Sequence, residues 1–344
     1  MGISIIIKTL NEEARIAAAI ESALAALPGE GEVIVADSGS SDRTVEIARR
    51  YPVRIAQIVP PARASCGIGP QLGFQYARQE LVCLIDGDML LDADFLAAAA
   101  AHLAANPRCA GVTGHVAEEE VRNLEFISRV ARYSPEKRTG EIDRMNGGGL
   151  YRRAALEDVG YFSDRNLHSF EEFDLGVRLR AHGWTLFRLD RRFVSHYGHT
   201  VNSYRLLLRR WRSGYIFGMG ELLRAAMGKP YWRRLVRELP DIKLWAAVYL
   251  WWLAMLVLVV ALPDKPLALA LDLLSVAGLV ALMSWRRKSL SLGLYAVVAW
   301  HFHAAALPVG FFRPRQAPSA WIESRLIEGA AARAAGRAAQ PAEP

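Results

Sequence analysis

The chain has 344 residues, 52% of them hydrophobic, and a net charge of +7. That length allows one large domain with something more attached, and the apolar share is high for a purely soluble chain. Three cysteines, Cys66, Cys83 and Cys109, show no metal-ligand spacing and cannot all pair, which argues against a disulfide scaffold and fits a reduced, cytosolic front domain.

In chain order, Ile3–Ile7, Glu32–Ala36, Val53–Ile58, Leu81–Ile85 and Ala110–Val116 read as strands. Helical patterns lie between them at Glu12–Leu27, Arg43–Tyr51, Gln71–Arg78 and Asp94–Ala105, the last with Asp92 as its expected cap. Ile3–Ile7 is too short for a secretory signal, and Ile6 stands where a myristoylation signal needs Ser or Thr. Strand and helix alternating at this spacing predict an α/β fold with a mostly parallel, doubly wound sheet.

Polar loops come after several of these strands. Lys8-Thr9-Leu10-Asn11-Glu12 follows the first, and Asp37-Ser38-Gly39-Ser40-Ser41-Asp42 the second. Loops at the carboxyl ends of neighbouring parallel strands are where open sheets bind ligands. Asp37 there can accept the imide N–H of a base. Asp86-Gly87-Asp88 closes the apolar run Leu81–Ile85. Alone it reads as a solvated turn; at a strand's carboxyl end, two hard carboxylates suit Mg²⁺ or Mn²⁺ and, through the ion, a diphosphate. Cys66-Gly67-Ile68-Gly69-Pro70-Gln71-Leu72-Gly73 is glycine-rich and opens a helix, but it lacks the strand-turn-helix order of a dinucleotide site.

The composition changes at Tyr204. Between Arg205 and Lys243 ten Lys and Arg stand against three acidic residues, interleaved with Trp211, Tyr215, Tyr231 and Trp232. Such a stretch reads as helices on membrane headgroups, and with that anionic partner at hand no nucleic acid is expected. Leu244–Leu262 is an uninterrupted apolar run long enough to cross a bilayer. Leu267–Met283, with Asp272, and Leu290–Leu307, with His301 and His303, are two further candidates. The positive-inside rule puts Arg233, Arg234, Arg237 and Lys243 in the cytoplasm, Pro263–Pro266 outside and Arg286–Lys288 inside. The third segment reads as a span, which leaves the Arg-bearing tail outside, against the rule; a re-entrant or interfacial segment would keep the tail inside. The expected division is therefore 1–203 catalytic, 204–243 interfacial, 244–312 transmembrane in two or three spans, and 313–344 a partly disordered tail. Disorder is expected from Gly329 onward.

The motifs, in this order, resemble the family 2 glycosyltransferases of GT-A fold. That family has a Pro-Thr-x-Asn-Glu loop, Val-Asp-Asp-Gly-Ser-x-Asp, an Asp-x-Asp, a Gly-rich loop with an Arg, and a Glu-Asp-x-Asp-Leu-x-x-Arg-Leu helix ending in Gly. Here the matching pieces are Lys8–Glu12, Val35–Asp42, Asp86-Gly87-Asp88, Gly147-Gly148-Gly149-Leu150-Tyr151-Arg152, and Glu171–Leu179 with Gly183.

The resemblance implies that Thr9, Asn11, Glu12, Asp37, Gly69, Gln71, Asp86 and Asp88 line the donor site, and that Gly147, Gly148, Gly149 and Arg152 lie on the acceptor side. Glu172 stands where the family has an Asp as general base, one methylene shorter, and Glu171 is the second candidate. Asp88 with His196 would hold a divalent Mn²⁺ or Mg²⁺, His196 being preferred to His199. The family's Arg-Asn is replaced by Pro70-Gln71, and Leu207 replaces the Gln of the processive synthases' Gln-x-x-Arg-Trp, so a cellulose- or hyaluronan-type synthase is not expected.

The expected activity is inverting, metal-dependent transfer from a UDP- or GDP-type nucleotide-diphosphate sugar to a hydroxyl of a lipid-linked glycan. It would serve exopolysaccharide or cell-envelope assembly at the cytoplasmic face of the inner membrane. Two alternatives are a polyprenyl-phosphate transferase related to dolichyl-phosphate mannose synthase, and a non-catalytic nucleotide-sugar scaffold.

Overall fold

The computed structural model describes residues 2–27, 29–119, 138–197, 203–239 and 241–329. It divides into two compact units, Met1–Val201 with Pro314–Pro344, and Asn202–Arg313.

The first unit is built on one sheet. Its strands are β1 (Ile3–Thr9), β2 (Gly31–Asp37), β3 (Arg54–Ile58), β4 (Leu81–Asp86), β5 (Met89–Leu91), β6 (Cys109–Glu118), β7 (Gly140–Ile142), β8 (Gly149–Arg152), β9 (Thr185–His196) and β10 (Ser324–Glu328). Among the described residues the order is β10-β3-β2-β1-β4-β8-β6-β9-β5, with β7 also paired to β9. Strands β3, β2, β1 and β4 are mutually parallel, as the apolar runs predict for strands covered on both faces. Alternation along β1 fills two cores. Ile3, Ile5 and Ile7 pack against Ile16, Ala19, Ile20 and Ala23 of α1 (Ile16–Ala26), while Ile6 meets Ile68 and Leu72 of α3 (Ile68–Tyr76) on the opposite face. Truncating one of these isoleucines to alanine costs about 2–5 kcal/mol. Helix α2 (Thr44–Ala48) completes this half, while α4 (Phe95–Ala105) packs on β6, β8 and β9.

The other half is antiparallel at β4–β8, β6–β8, β5–β9 and β7–β9, and parallel only at β6–β9. It carries α5 (Arg153–Asp158) and α6 (Glu171–Ala181). Helix α6 ends at Gly183, whose φ of +83° closes the last turn as a side chain would not easily allow.

Local detail departs from expectation at three places. Helix α1 begins at Ile16 rather than Glu12, because the Glu12 and Glu13 N–H groups donate to Thr44 Oγ1 and Asp42 Oδ2 at 2.8 and 3.1 Å. Asp92 does not cap α4: Asp94 holds that position, and the Asp92 carboxylate accepts the Asp94 N–H at 3.3 Å. The stretch after the apolar helices is ordered as β10, antiparallel to β3, and Gly329 N–H donates to the Val53 carbonyl at 3.0 Å. Residues 330–344 of the stretch expected to be disordered lie outside the described residues.

The second unit is helical: α7 (Ser203–Ser213), a 3₁₀ turn at Tyr215–Phe217, α8 (Gly218–Ala226), α9 (Trp232–Glu238), α10 (Ile242–Ala261), α11 (Lys265–Arg287) and α12 (Leu290–Phe311). The last three are long and apolar enough to cross a membrane, α12 being the least apolar. Asp264 and Ser289 cap α11 and α12 by accepting the N–H groups of Leu267 and Leu292.

Candidate active site

Two loops build the wall where the donor is expected. At the ends of the parallel strands, Thr9 lies opposite Asp37 and Lys8 opposite Asp86. Asn11, at φ +58°, accepts the Ser41 N–H on its Oδ1 at 2.8 Å, and its own N–H donates to Ser40 Oγ at 2.8 Å. The first two loops are thus laced into one wall. Asp37 is fully buried, and its Oδ2 accepts Gly39 N–H, Ser40 N–H and Gln57 Nε2 at 3.2, 3.1 and 2.9 Å. The Thr9 hydroxyl is buried without a partner beside Gly87, so an unsatisfied polar atom faces the Asp86–Asp88 turn.

A tight acidic cluster occupies the centre. Lys8 Nζ lies 3.2 Å from Asp86 Oδ1 and 3.4 Å from Glu171 Oε1. Burial opposes the Lys8 charge, but Asp86 and Glu171, with Cys66 and Glu172, raise its pKa well above the lysine range. Burial also pushes the Asp86 pKa up, Lys8 opposing it and Asp88 adding to it.

Glu172 begins α6 beside Glu171, after Phe170 held at φ +68°, an uncommon conformation for a bulky residue. Glu172 Oε1 accepts the Gly148 N–H at 2.8 Å. That contact needs the glycine run. Gly148 has φ +91°, and a Cβ on it would collide with the Leu84 carbonyl oxygen. Burial, then the charge of Glu171, push the Glu172 pKa up to about 8, with Lys8 pulling the other way. With its pKa at about 8, this carboxyl can accept a proton only in its ionised fraction, which grows as pH rises past neutrality.

Strand register assembles the third group. Met89 of β5 and Glu118 of β6 both pair with His196 at the end of β9, which sets Asp88 and Glu118 on either side of the imidazole. Glu118 Oε2 lies 2.6 Å from His196 Nδ1, and Asp88 Oδ2 lies 3.4 Å from Nε2. Burial opposes the His196 charge, yet hydrogen bonds to Asp88 and Glu118 bring its pKa to about 10. A carboxylate on one ring nitrogen with the other facing a second carboxylate is the arrangement that orients a metal-ligating histidine. The residues therefore fit a divalent cation. Among the described residues no three His, Cys, Asp or Glu converge as a cage. Two protein donors suit Mg²⁺ or Mn²⁺, which keep other positions for phosphate oxygens and water.

Other expected residues lie elsewhere. The Arg152 guanidinium, expected on the acceptor side, instead turns to the carbonyls of Leu103 and Cys109, at 2.8 and 3.4 Å, bracing β8 against α4 and β6. Gln71 Oε1 accepts the N–H groups of Phe162 and Ser163 at 3.0 and 3.1 Å, so this side chain holds a loop rather than joining the cluster. Gly69 packs on Lys8, where a Cβ would lie 2.8 Å from the lysine Cβ. His199 lies outside the described residues.

Two residues of the assembly escaped the sequence reading. Lys8 stands where the resembling family has proline, and a cation at the end of an apolar strand was a signal that could have been used. Glu118 had none, since its role depends on a strand 78 positions away.

Residues 4–160 match the model of Glycosyl transferase family 2. An uncharacterized glycosyltransferase of Mycobacterium bovis is 28% identical over 194 residues, 55% of this chain and 84% of that protein. A poly-beta-1,6-N-acetyl-D-glucosamine synthase of Staphylococcus epidermidis is 26% identical over 206 residues, 54% of this chain but only 50% of the synthase. The fold is similar to that of a mannosyltransferase from Pyrobaculum calidifontis, solved with GDP-Man and Mn²⁺, at a TM-score of 0.56 and 20% identity, covering 90% of this chain and 86% of that one.

Proposed function

Starting from a chain that carries a family 2 glycosyltransferase domain of GT-A fold, we propose that it transfers a sugar, with inversion, from a nucleotide-diphosphate donor to a hydroxyl of a lipid-linked acceptor. The observation that carries this reading is Glu172, a carboxyl with its pKa near 8, fixed to Gly148 and adjoining Asp86 and Lys8.

Glu172 takes the proton of the acceptor hydroxyl as that oxygen attacks the anomeric carbon. The bond between that carbon and the β-phosphate oxygen breaks, and its electron pair leaves with the nucleotide diphosphate. The proton stays on Glu172 until it exchanges with water. Glu171, its Oε1 lying 3.4 Å from Lys8 Nζ, is the second candidate. Asp37 and the Asn11–Ser41 wall hold the base, Asp86 the ribose side, and the Gly147–Gly149 run lets the acceptor approach backbone. Asp88 and His196, the latter fixed by Glu118, would hold Mn²⁺ or Mg²⁺, which when bound offsets the charge growing on the diphosphate.

Three apolar helices and a basic stretch before them support a membrane seat with the catalytic unit on the cytoplasmic side. On this reading residues 1–203 catalyse, 204–243 lie on the headgroups and 244–312 anchor the chain. A lipid-linked acceptor and a part in envelope or exopolysaccharide assembly accord with that seat.

The test is the release of nucleotide diphosphate from a panel of UDP- and GDP-sugars with Mn²⁺ and membrane lipids, for the parent chain and Glu172→Gln. Loss of turnover with donor binding intact is the expected result. Near-normal turnover of the variant would point instead to an anionic phosphate acceptor that needs no base. No release by the parent with any donor would overturn the enzymatic reading.

A further inference from the structure

The apolar helices lie between two stretches of a single folded unit. The chain leaves the sheet-bearing unit after Val201 and rejoins it at Pro314. The segment beyond Pro314 is tied down at several points. Arg315 donates to the fully buried Asp164 carboxylate, and Gln316 and Asn166 exchange hydrogen bonds of 2.8 and 2.9 Å. Arg165 reaches the carbonyls of Ala320 and Trp321 at 3.3 and 3.0 Å. Ile322 is fully buried, its N–H donating to Gln75 Oε1 at 2.9 Å. Strand β10 then runs beside β3, Ser324 opposite Ile58 and Glu328 opposite Arg54. Strands cannot pair through a hydrocarbon layer about 30 Å thick. Residues 2–197 and 314–329 therefore share one side of any bilayer that holds the chain.

Packing within the helical unit gives the same answer independently. The last turn of α12 lies against α8, where a Cβ on Gly220 would strike the Leu307 carbonyl and one on Gly310 the Phe217 carbonyl. Just beyond α12, Arg313 donates to the buried Glu221 of α8 at 3.0 Å. Helix α8 precedes the first apolar helix, so the chain before α10 and the chain after α12 meet.

We propose that the lipid bilayer is crossed twice: of α10, α11 and α12, two span it and one does not. This rests on the membrane reading above and takes the two-span side of the sequence expectation, against the reading of the third segment as a span, which leaves the tail on the far side. An odd number of crossings would tear β10 from β3 and Arg313 from Glu221. A non-spanning α10 or α12 stays at the near surface with the basic α7 to α9, whose Arg205, Arg209 and Arg212 are exposed, whereas a non-spanning α11 would lie at the far surface. The basic near surface fits anionic headgroups.

The full chain in sealed, oriented membrane vesicles tests this with four exposed single-cysteine positions. These are Glu30→Cys in the catalytic unit, Pro266→Cys at the start of α11 and Lys288→Cys just after its end, and Ser319→Cys in the return segment. An impermeant thiol reagent is applied, and the parent chain's own labelling is subtracted. The expected result is Glu30→Cys and Ser319→Cys labelled from one side, with at least one turn labelled from the other. Glu30→Cys and Ser319→Cys on opposite sides would overturn the proposal and leave the membrane reading standing. All four on one side would overturn both. If a variant fails to accumulate, proteolysis of the unmodified chain from each side, with fragments mapped to residues 263–266, 286–289 and 314–319, reads the same outcome.

Discussion

The Glu171–Glu172 pair and the Asp88–His196 pair both gather charge, yet they are held by opposite means. Glu171 and Glu172 start a helix and are steadied by a lysine and one backbone N–H from a glycine run. Asp88 and His196 are fixed by strand register, with Glu118 locking the ring. The first centre is adjustable, because its protonation depends on a single opposing cation. The second is rigid, since moving it means breaking a sheet. A proton acceptor must change state in each turnover and a cation site must not, so each centre has the support its proposed task needs.

The sharpest break of that contrast is Glu172→Gln. It should lower kcat by about 10²–10⁴-fold with donor affinity retained, measured by diphosphate release and by donor titration. Next come the rigid centre's own supports. Glu118→Gln should weaken Mn²⁺ binding roughly 10–100-fold while leaving the pH profile of the saturated enzyme in place. An unchanged metal titration would show that Glu118 does not orient His196. Gly148→Ala attacks the adjustable centre through its backbone. It should destabilise the fold by more than about 1 kcal/mol, read as a lower denaturation midpoint, because alanine meets both a positive φ and the Leu84 carbonyl.

Lys8→Met should act only on the adjustable centre. Without the cation that holds the Glu172 pKa down, the rising limb of kcat/KM should move above about 8, while metal affinity stays as it was. The smallest effect concerns stability. A carboxyl whose folded pKa lies above its free value binds protons more tightly when folded, so its contribution is lost as pH rises from the ordinary carboxylate range through about 8. Glu172→Gln should remove that loss and raise Tm by about 2–5 °C at alkaline pH but not at acid pH. An equal shift at both would assign the gain to packing.

Strands β1, β2 and β4 were legible because each is a largely apolar run ending in a polar loop, and β3 was legible although Arg54 and Gln57 interrupt it. Strand β9 was not, since Thr185–His196 mixes apolar residues with Arg188, Asp190, Arg191 and Arg192 and shows no clean period. The order of acidic motifs was enough to name Asp86, Asp88, Glu172 and His196, and the described structure gathers Asp86 with Glu172 and Asp88 with His196. It did not reveal that Arg152 and Gln71 serve neighbouring backbone, because a side chain's direction depends on what packs around it. Lys8 could have been found from its place opposite Asp86 once β1 and β4 were taken as parallel neighbours.

Strand β10 also sets an order of events in biosynthesis. The sheet's outer row of β3 amides and carbonyls has no partner until the ribosome has released Ser324–Glu328, after every apolar helix has already left the tunnel. During that interval the nascent domain carries an open, pairing-competent border. On the proposed membrane reading, delivery of the helices to the insertion machinery therefore comes before the sheet is sealed, and a chain stalled in between would display a ready template for aggregation.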